Sequence, residues 1–162
     1  MFDAETIERA SQVLAACRAK GWRLATAESC TGGLVAAALT AIAGSSDVVD
    51  RGFVAYANRS KTELLGVPEA TLAAFGAVSA ETARAMAAGA VNRAAVDLAV
   101  SVTGIAGPGG ASHDKPVGLV HLAIATRENC RSERHVFPGD RDGVRRAALI
   151  RALEMVLDET KS

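Results

Sequence analysis

The sequence has no excess of charge. Eighteen basic and eighteen acidic residues cancel over 162 positions, so no net field draws the chain to nucleic acid or to an anionic membrane surface. Any anionic ligand has to be held by a local device. Cysteine is scarce. Cys17, Cys30 and Cys130 are odd in number and far apart, which gives neither a disulfide framework nor a zinc site. His113, His121 and His135 also lack metal-ligand spacing, so no metal is expected. The apolar runs break well short of a membrane span. The opening residues MFDAETIERA have neither the basic start nor the apolar centre of a signal peptide. The setting these absences imply is a reducing cytoplasm, away from the membrane.

Aromatic residues make up only 4% of the chain, although 49% of it is apolar. Alanine supplies much of that share. This composition excludes a disordered chain and suits helices packed closely on a sheet. The length fits a single domain over residues 1–162 with one sizeable core. No internal repeat, linker or low-complexity tract divides it.

The pattern of elements agrees. Asp3 can cap a first helix that carries Ile7, Ala10, Val13, Leu14 and Cys17 on one face and ends at Gly21. Arg23 to Ala27 alternates as a strand, and a second helix is expected from about Thr31 to Gly44. Val48 to Tyr56 reads as the second strand, with Gly52 marking a bulge or a close backbone approach. Asn58 or Ser60 can start a short helix that stops at Gly66, and Pro68 suits the first turn of another that ends at Gly76. Ser79 caps a longer helix reaching about Ala95. Asp97 to Val102 is apolar enough to be buried on both faces. After the loop GIAGPGGASHDKP come strands over Val117 to Thr126 and Ser132 to Phe137, then a helix from Asp140. Early strand–helix alternation implies parallel strands with right-handed crossovers. The last strands lie too close in sequence for a crossover, so at least one runs antiparallel. The expected fold is α/β, a three-layer α/β/α sandwich around a five-stranded mixed sheet.

Four segments can carry chemistry. In AESCTGG, Ala27 to Gly33, a strand ends, a turn follows and a helix begins. Free N–H groups and the positive end of a helix dipole converge there, able to hold an oxyanion beside Ser29 or to cradle a phosphate through Cys30, Thr31, Gly32 and Gly33. Ser29 or Thr31 equally suits a plain helix cap. Cys30 is the rival nucleophile, since a helix N-terminus lowers a thiol's pKa, but no Cys–His spacing supports it. GFVAYANRSK puts Tyr56 at a strand end and Lys61 just beyond it. A desolvated lysine can take a serine's proton and a phenol can relay it, while an exposed lysine beside an edge tyrosine does neither. SVTGIAGPGG leaves the end of a central strand, where open α/β sheets bind ligands. It offers Thr103, Gly104, Gly107 and Gly109, or else it is a flexible connector. In FPGDRDGVRR, Arg141 and Arg145 share a helical face and can fork onto a phosphate. Alternatively, Asp140 and Asp142 cap that helix and pair with the arginines. His113, Asp114 and Lys115 read as solvated, and His121 reads as packed.

Read together, these runs resemble one family. TAESCTGGL, GSS with RGFVAYAN and Lys61, LGV, GAVS, AVSVTGIAGPGG, KPVGLVHLA and FPGDRDGVR occur in one order from about residue 5 to 157. They are similar to the C-terminal domain of the CinA proteins, the nicotinamide mononucleotide deamidases, in the stand-alone form without an extra N-terminal domain. The resemblance implies hydrolysis of nicotinamide mononucleotide to nicotinic acid mononucleotide and ammonia, with Ser29 as nucleophile assisted by Tyr56 and Lys61. It places Cys30, Thr31, Gly32, Gly33, Thr103, Gly104, Gly107, Gly109, Arg141 and Arg145 around the substrate. It implies no cofactor, a small-molecule partner, no nucleic acid, and self-association into a homo-oligomer. A nucleotide-binding regulatory module without turnover is the alternative.

Overall fold

The computed structural model describes residues 1–162. Helix α1 spans Ala4–Lys20; the Asp3 carboxylate accepts from the Thr6 N–H at its start, and Gly21 closes it in the left-handed region. Strand β1 (Leu24–Glu28), helix α2 (Leu34–Thr40) and strand β2 (Val49–Val54) follow. Helices α3 (Asn58–Leu65), α4 (Glu69–Phe75) and α5 (Ala80–Ala94) come next, the last capped by the Ser79 hydroxyl. Strands β3 (Leu98–Gly104), β4 (Leu119–Thr126) and β5 (Cys130–Val136) precede helix α6 (Arg141–Thr160).

The strands form one sheet in the order β2-β1-β3-β4-β5. β1 runs parallel to β2 and to β3, whereas β4 is antiparallel to both β3 and β5. The expected mixed three-layer sandwich is therefore what the chain forms. One face of the sheet presents Leu24, Leu98, Val100, Val102, Leu122 and Ile124 to α1, α2 and α6. The other face presents Ala25, Ala27, Ala99, Ala123 and Ala125 to α5, whose own contacts are mostly alanine. The alternation along each strand decides which residue faces which layer. The small side chains bring α5 close to the sheet, which is where the scarcity of aromatics is felt.

One expectation at an element end is corrected. The second helix is shorter than Thr31 to Gly44: it starts three residues later, at Leu34, and ends at Thr40, and a separate 3-10 turn at Ser45–Asp47 follows Gly44. Helix α3 starts at Asn58, the first of the two expected starts, and Gly66 closes it in the left-handed region, with Ser60 donating to the Ala57 carbonyl. At Gly52 the close approach is the right alternative. A Cβ there would lie 2.9 Å from the Ala36 Cβ and 2.9 Å from the Thr26 Oγ1. The slip in strand register falls instead between Leu24 and Ala25, opposite Asp50.

Candidate active site

β1 and β3 bring their carboxyl ends to one edge, and the chain leaves β1 there in a turn held to the sheet. The Ser29 N–H donates to the Val102 carbonyl at 2.8 Å, and the Gly32 N–H donates back to the Ser29 carbonyl at 3.0 Å. Gly32 and Gly33 have φ of +60° and +98°, two successive left-handed residues that only glycine adopts without strain. They delay α2 until Leu34.

That delay changes how the helix is capped. Neither Ser29 nor Thr31 caps α2. The Glu28 carboxylate, 1% exposed, accepts from the Val35 N–H at 2.9 Å and the Ala36 N–H at 3.0 Å. The Thr26 hydroxyl donates to the same carboxylate at 3.1 Å. The positive end of α2 is thus already met by a buried carboxylate, so the expected oxyanion or phosphate site at the helix start is corrected. The N–H groups of Cys30, Thr31 and Gly33 have no acceptor within the protein, and the Thr31 hydroxyl is buried without a partner. Of these residues, Cys30 lines the adjoining cleft, and Thr31, Gly32 and Gly33 do not.

Lys61 enters the same cleft from α3. It is 1% exposed, and its Nζ donates to the Ser29 Oγ at 3.2 Å and to the Tyr56 carbonyl at 3.1 Å. Both partners are neutral oxygens. Burial pushes the ammonium below its ordinary value of 10.5, with the Cys30 thiolate form acting weakly against it. The Cys30 thiol itself is pushed up to about 11 by burial and stays protonated near neutrality. With no histidine lining the cleft, Cys30 is not the nucleophile of a Cys–His pair.

Tyr56 contributes differently from what its side chain suggests. Its phenol is exposed and accepts from the Arg141 Nη2 at 3.1 Å; its main-chain carbonyl is what holds Lys61. The expected proton relay through the phenol has no geometric support. Arg141, at the first position of α6, also donates through Nη1 to the Gly107 carbonyl at 2.8 Å, and so spans the mouth of the cleft from Tyr56 to the long loop. Arg145 does not join it. Its Nε donates to the Cys30 carbonyl at 3.1 Å and its Nη2 to the Thr31 carbonyl at 3.2 Å, both in the turn that follows β1. The fork of two arginines on one phosphate is therefore corrected to a single arginine at the cleft.

Thr103, Gly104, Gly107 and Gly109 all line the cleft, which measures ≈ 260 Å³. The Thr103 hydroxyl is committed, donating to the Ala77 carbonyl at 2.7 Å. It braces the segment between α4 and α5, whose Ala77 and Val78 form one wall. Lys115, expected to be solvated, pins the same segment by donating to the Phe75 carbonyl at 2.8 Å. Ile105, Ala106 and Gly110, of the expected loop SVTGIAGPGG, also line the cleft, as do Asn58, Ala77 and Val78, which were not among the expected site residues. Ala77 and Val78 lie in the run GAVS, but small apolar residues before a helix carry no chemical signature. Asn58 was legible only as a helix start.

A buried Ser–Lys pair at the carboxyl edge of the parallel strands in an α/β/α sandwich is the class that this fold and site define. The chain belongs to the CinA C-terminal domain family, whose model matches residues 6–160. It is 50% identical over 155 residues to a protein from Escherichia coli strain K12 named nicotinamide-nucleotide amidohydrolase PncC, covering 95% of this chain and 94% of that one. It is 56% identical over 137 residues to a CinA-like protein of Geobacter sulfurreducens, a match that takes in 85% of this chain and 33% of that relative. The chain thus spans about a third of the length of such CinA-like proteins. Among solved structures, the competence/damage inducible protein CihA from Agrobacterium tumefaciens superposes with a TM-score of 0.95 at 49% identity, covering 100% of this chain and 99% of that chain.

Proposed function

We propose that the chain is a single-domain amidohydrolase that converts nicotinamide mononucleotide to nicotinic acid mononucleotide and ammonia. The observation that carries the chemistry is the 3.2 Å contact between the buried Lys61 Nζ and the Ser29 Oγ. The choice of substrate is supported by the names of relatives matched over almost their whole length.

Neutral Lys61 takes the Ser29 proton, and Oγ attacks the carboxamide carbon. The carbonyl oxygen becomes an oxyanion, for which the unengaged Cys30 N–H, on the residue following the nucleophile, is the donor at the cleft. The Lys61 ammonium then protonates the departing nitrogen, which leaves as ammonia, and a nicotinoyl ester remains on Ser29. Water, losing its proton to Lys61, attacks that ester; the bond to Ser29 Oγ breaks, the Lys61 ammonium returns the proton to Oγ, and the acid is freed. The Tyr56 carbonyl keeps Nζ in place through both halves. The substrate's pyridinium is cationic and favours the neutral form of Lys61, while Arg141 meets its phosphate. The three free thiols Cys17, Cys30 and Cys130 fit a reducing cytoplasm, and no helix is long and apolar enough to cross a membrane. A homo-oligomer that binds no nucleic acid completes the proposal, in keeping with the balanced charge.

Ammonia release from nicotinamide mononucleotide, compared for wild type, Ser29→Ala and Lys61→Ala, tests it. Loss of at least 100-fold is expected in both variants, on the order seen when a nucleophile or its base is removed. Full activity in Ser29→Ala refutes the nucleophile. Tight nucleotide binding by a wild type that releases no ammonia identifies a regulatory module instead.

A further inference from the structure

We infer that Arg145 is a positioning residue that locks the nucleophile turn, setting the Ser29 hydroxyl and the Cys30 N–H for reaction; this rests on the amidohydrolase reading above. Arg141 and Arg145 are one helical turn apart on α6, yet they bond different parts of the chain: Arg141 the Gly107 carbonyl and the Tyr56 phenol, Arg145 the segment Ser29–Gly33. Arg141 lines the cleft. Arg145 lies in a separate hollow beside Phe2, Leu34 and Leu149, and it grips two consecutive carbonyls, Cys30 at 3.1 Å and Thr31 at 3.2 Å.

The turn has little else to fix it from that side. Its internal bonds are Gly32 N–H to Ser29 carbonyl and Leu34 N–H to Thr31 carbonyl. The Thr31 hydroxyl has no partner. Two glycines in left-handed conformations carry the largest conformational freedom a chain can have. Ser29 is tied to β3 through its N–H, so the strand holds one end of the turn and Arg145 holds the middle. A guanidinium presents its donors in a rigid plane and can satisfy two adjacent carbonyls at once, which an ammonium does less well and an apolar chain not at all. Its Nε and Nη2 are consumed in this grip, and it does not reach the cleft. A role as phosphate ligand does not fit that geometry.

The test compares wild type with Arg145→Met and Arg145→Lys, using ammonia release from nicotinamide mononucleotide and from nicotinamide riboside, with thermal melting alongside. Arg145→Met is expected to lower kcat about 10- to 100-fold, the scale of a small misplacement of reacting groups. KM and the preference for the phosphorylated substrate should stay within about twofold of wild type, since binding groups are untouched. Arg145→Lys recovers part of kcat, and millimolar guanidinium recovers part of it in Arg145→Ala, which keeps the inference testable if the methionine variant folds poorly. An unchanged kcat overturns it. A raised KM with loss of the preference over riboside also overturns it and makes Arg145 a phosphate ligand. Failure of the amidohydrolase reading shows separately, as a wild type inactive on both amides. In that case slower acylation of Ser29 by p-nitrophenyl acetate in Arg145→Met supports the positioning role, and equal acylation overturns it.

Discussion

A lysine whose ammonium meets only two neutral oxygens, Ser29 Oγ and the Tyr56 carbonyl, gives up its proton more readily than one in water. The residue type was legible in the sequence, and so was the need for desolvation, but not what would hold the amine. Tyrosine advertises its phenol, and the sequence offers no sign that its main-chain carbonyl is the group in use. The phenol instead accepts from Arg141 at the cleft mouth. Tyr56→Phe should therefore keep kcat within about threefold of wild type, because the proton path is intact, while KM rises several-fold as Arg141 loses a partner. A relay through the phenol requires a fall in kcat of about 100-fold or more. Steady-state kinetics on nicotinamide mononucleotide separates the two outcomes.

At the scale of elements, periodicity and turn residues marked every helix and strand and failed at one boundary that matters. A serine and a threonine before an apolar run look like helix caps, which put the start of α2 at Thr31. The true cap is Glu28, seven and eight residues from the N–H groups it serves, and it reaches them because the Gly32–Gly33 turn folds the chain back over β1. No local pattern carries that contact; it exists only once the strand is in the sheet. Glu28→Ala leaves two N–H groups buried without acceptors and strips the Thr26 hydroxyl of its partner. A cost of about 2–4 kcal/mol is expected, read as a melting temperature roughly 5–15 °C lower for a chain of this size. Glu28→Gln keeps one acceptor and should lose about half as much. A melting temperature unchanged in the alanine variant refutes the cap.

For the whole molecule, a net charge of zero conceals charges placed with opposite consequences. Glu133 on β5 accepts from the Arg151 Nε and Nη2 of α6, both at 2.8 Å, and its partnership extends to His135. The guanidinium holds its carboxyl down at about 2, against an ordinary 4.5. Its stabilisation is full above 4.5 and is lost as the pH falls through that interval, because the unfolded chain takes up the proton first. Lys61 acts the other way. Its depressed pKa makes it a burden that is full below its folded value and is relieved as the pH climbs toward 10.5. Chemical denaturation across pH should then show Glu133→Gln less stable than wild type by about 1–2 kcal/mol at pH 7, with the gap closing from pH 4.5 toward 2. Lys61→Met should be more stable by about 1–2 kcal/mol at pH 7, as when a functional group held at a cost to the fold is removed, with that gap closing in alkali. A Lys61→Met gain that grows with pH contradicts an ammonium penalised by burial, and with it the premise on which Lys61 is proposed as the base.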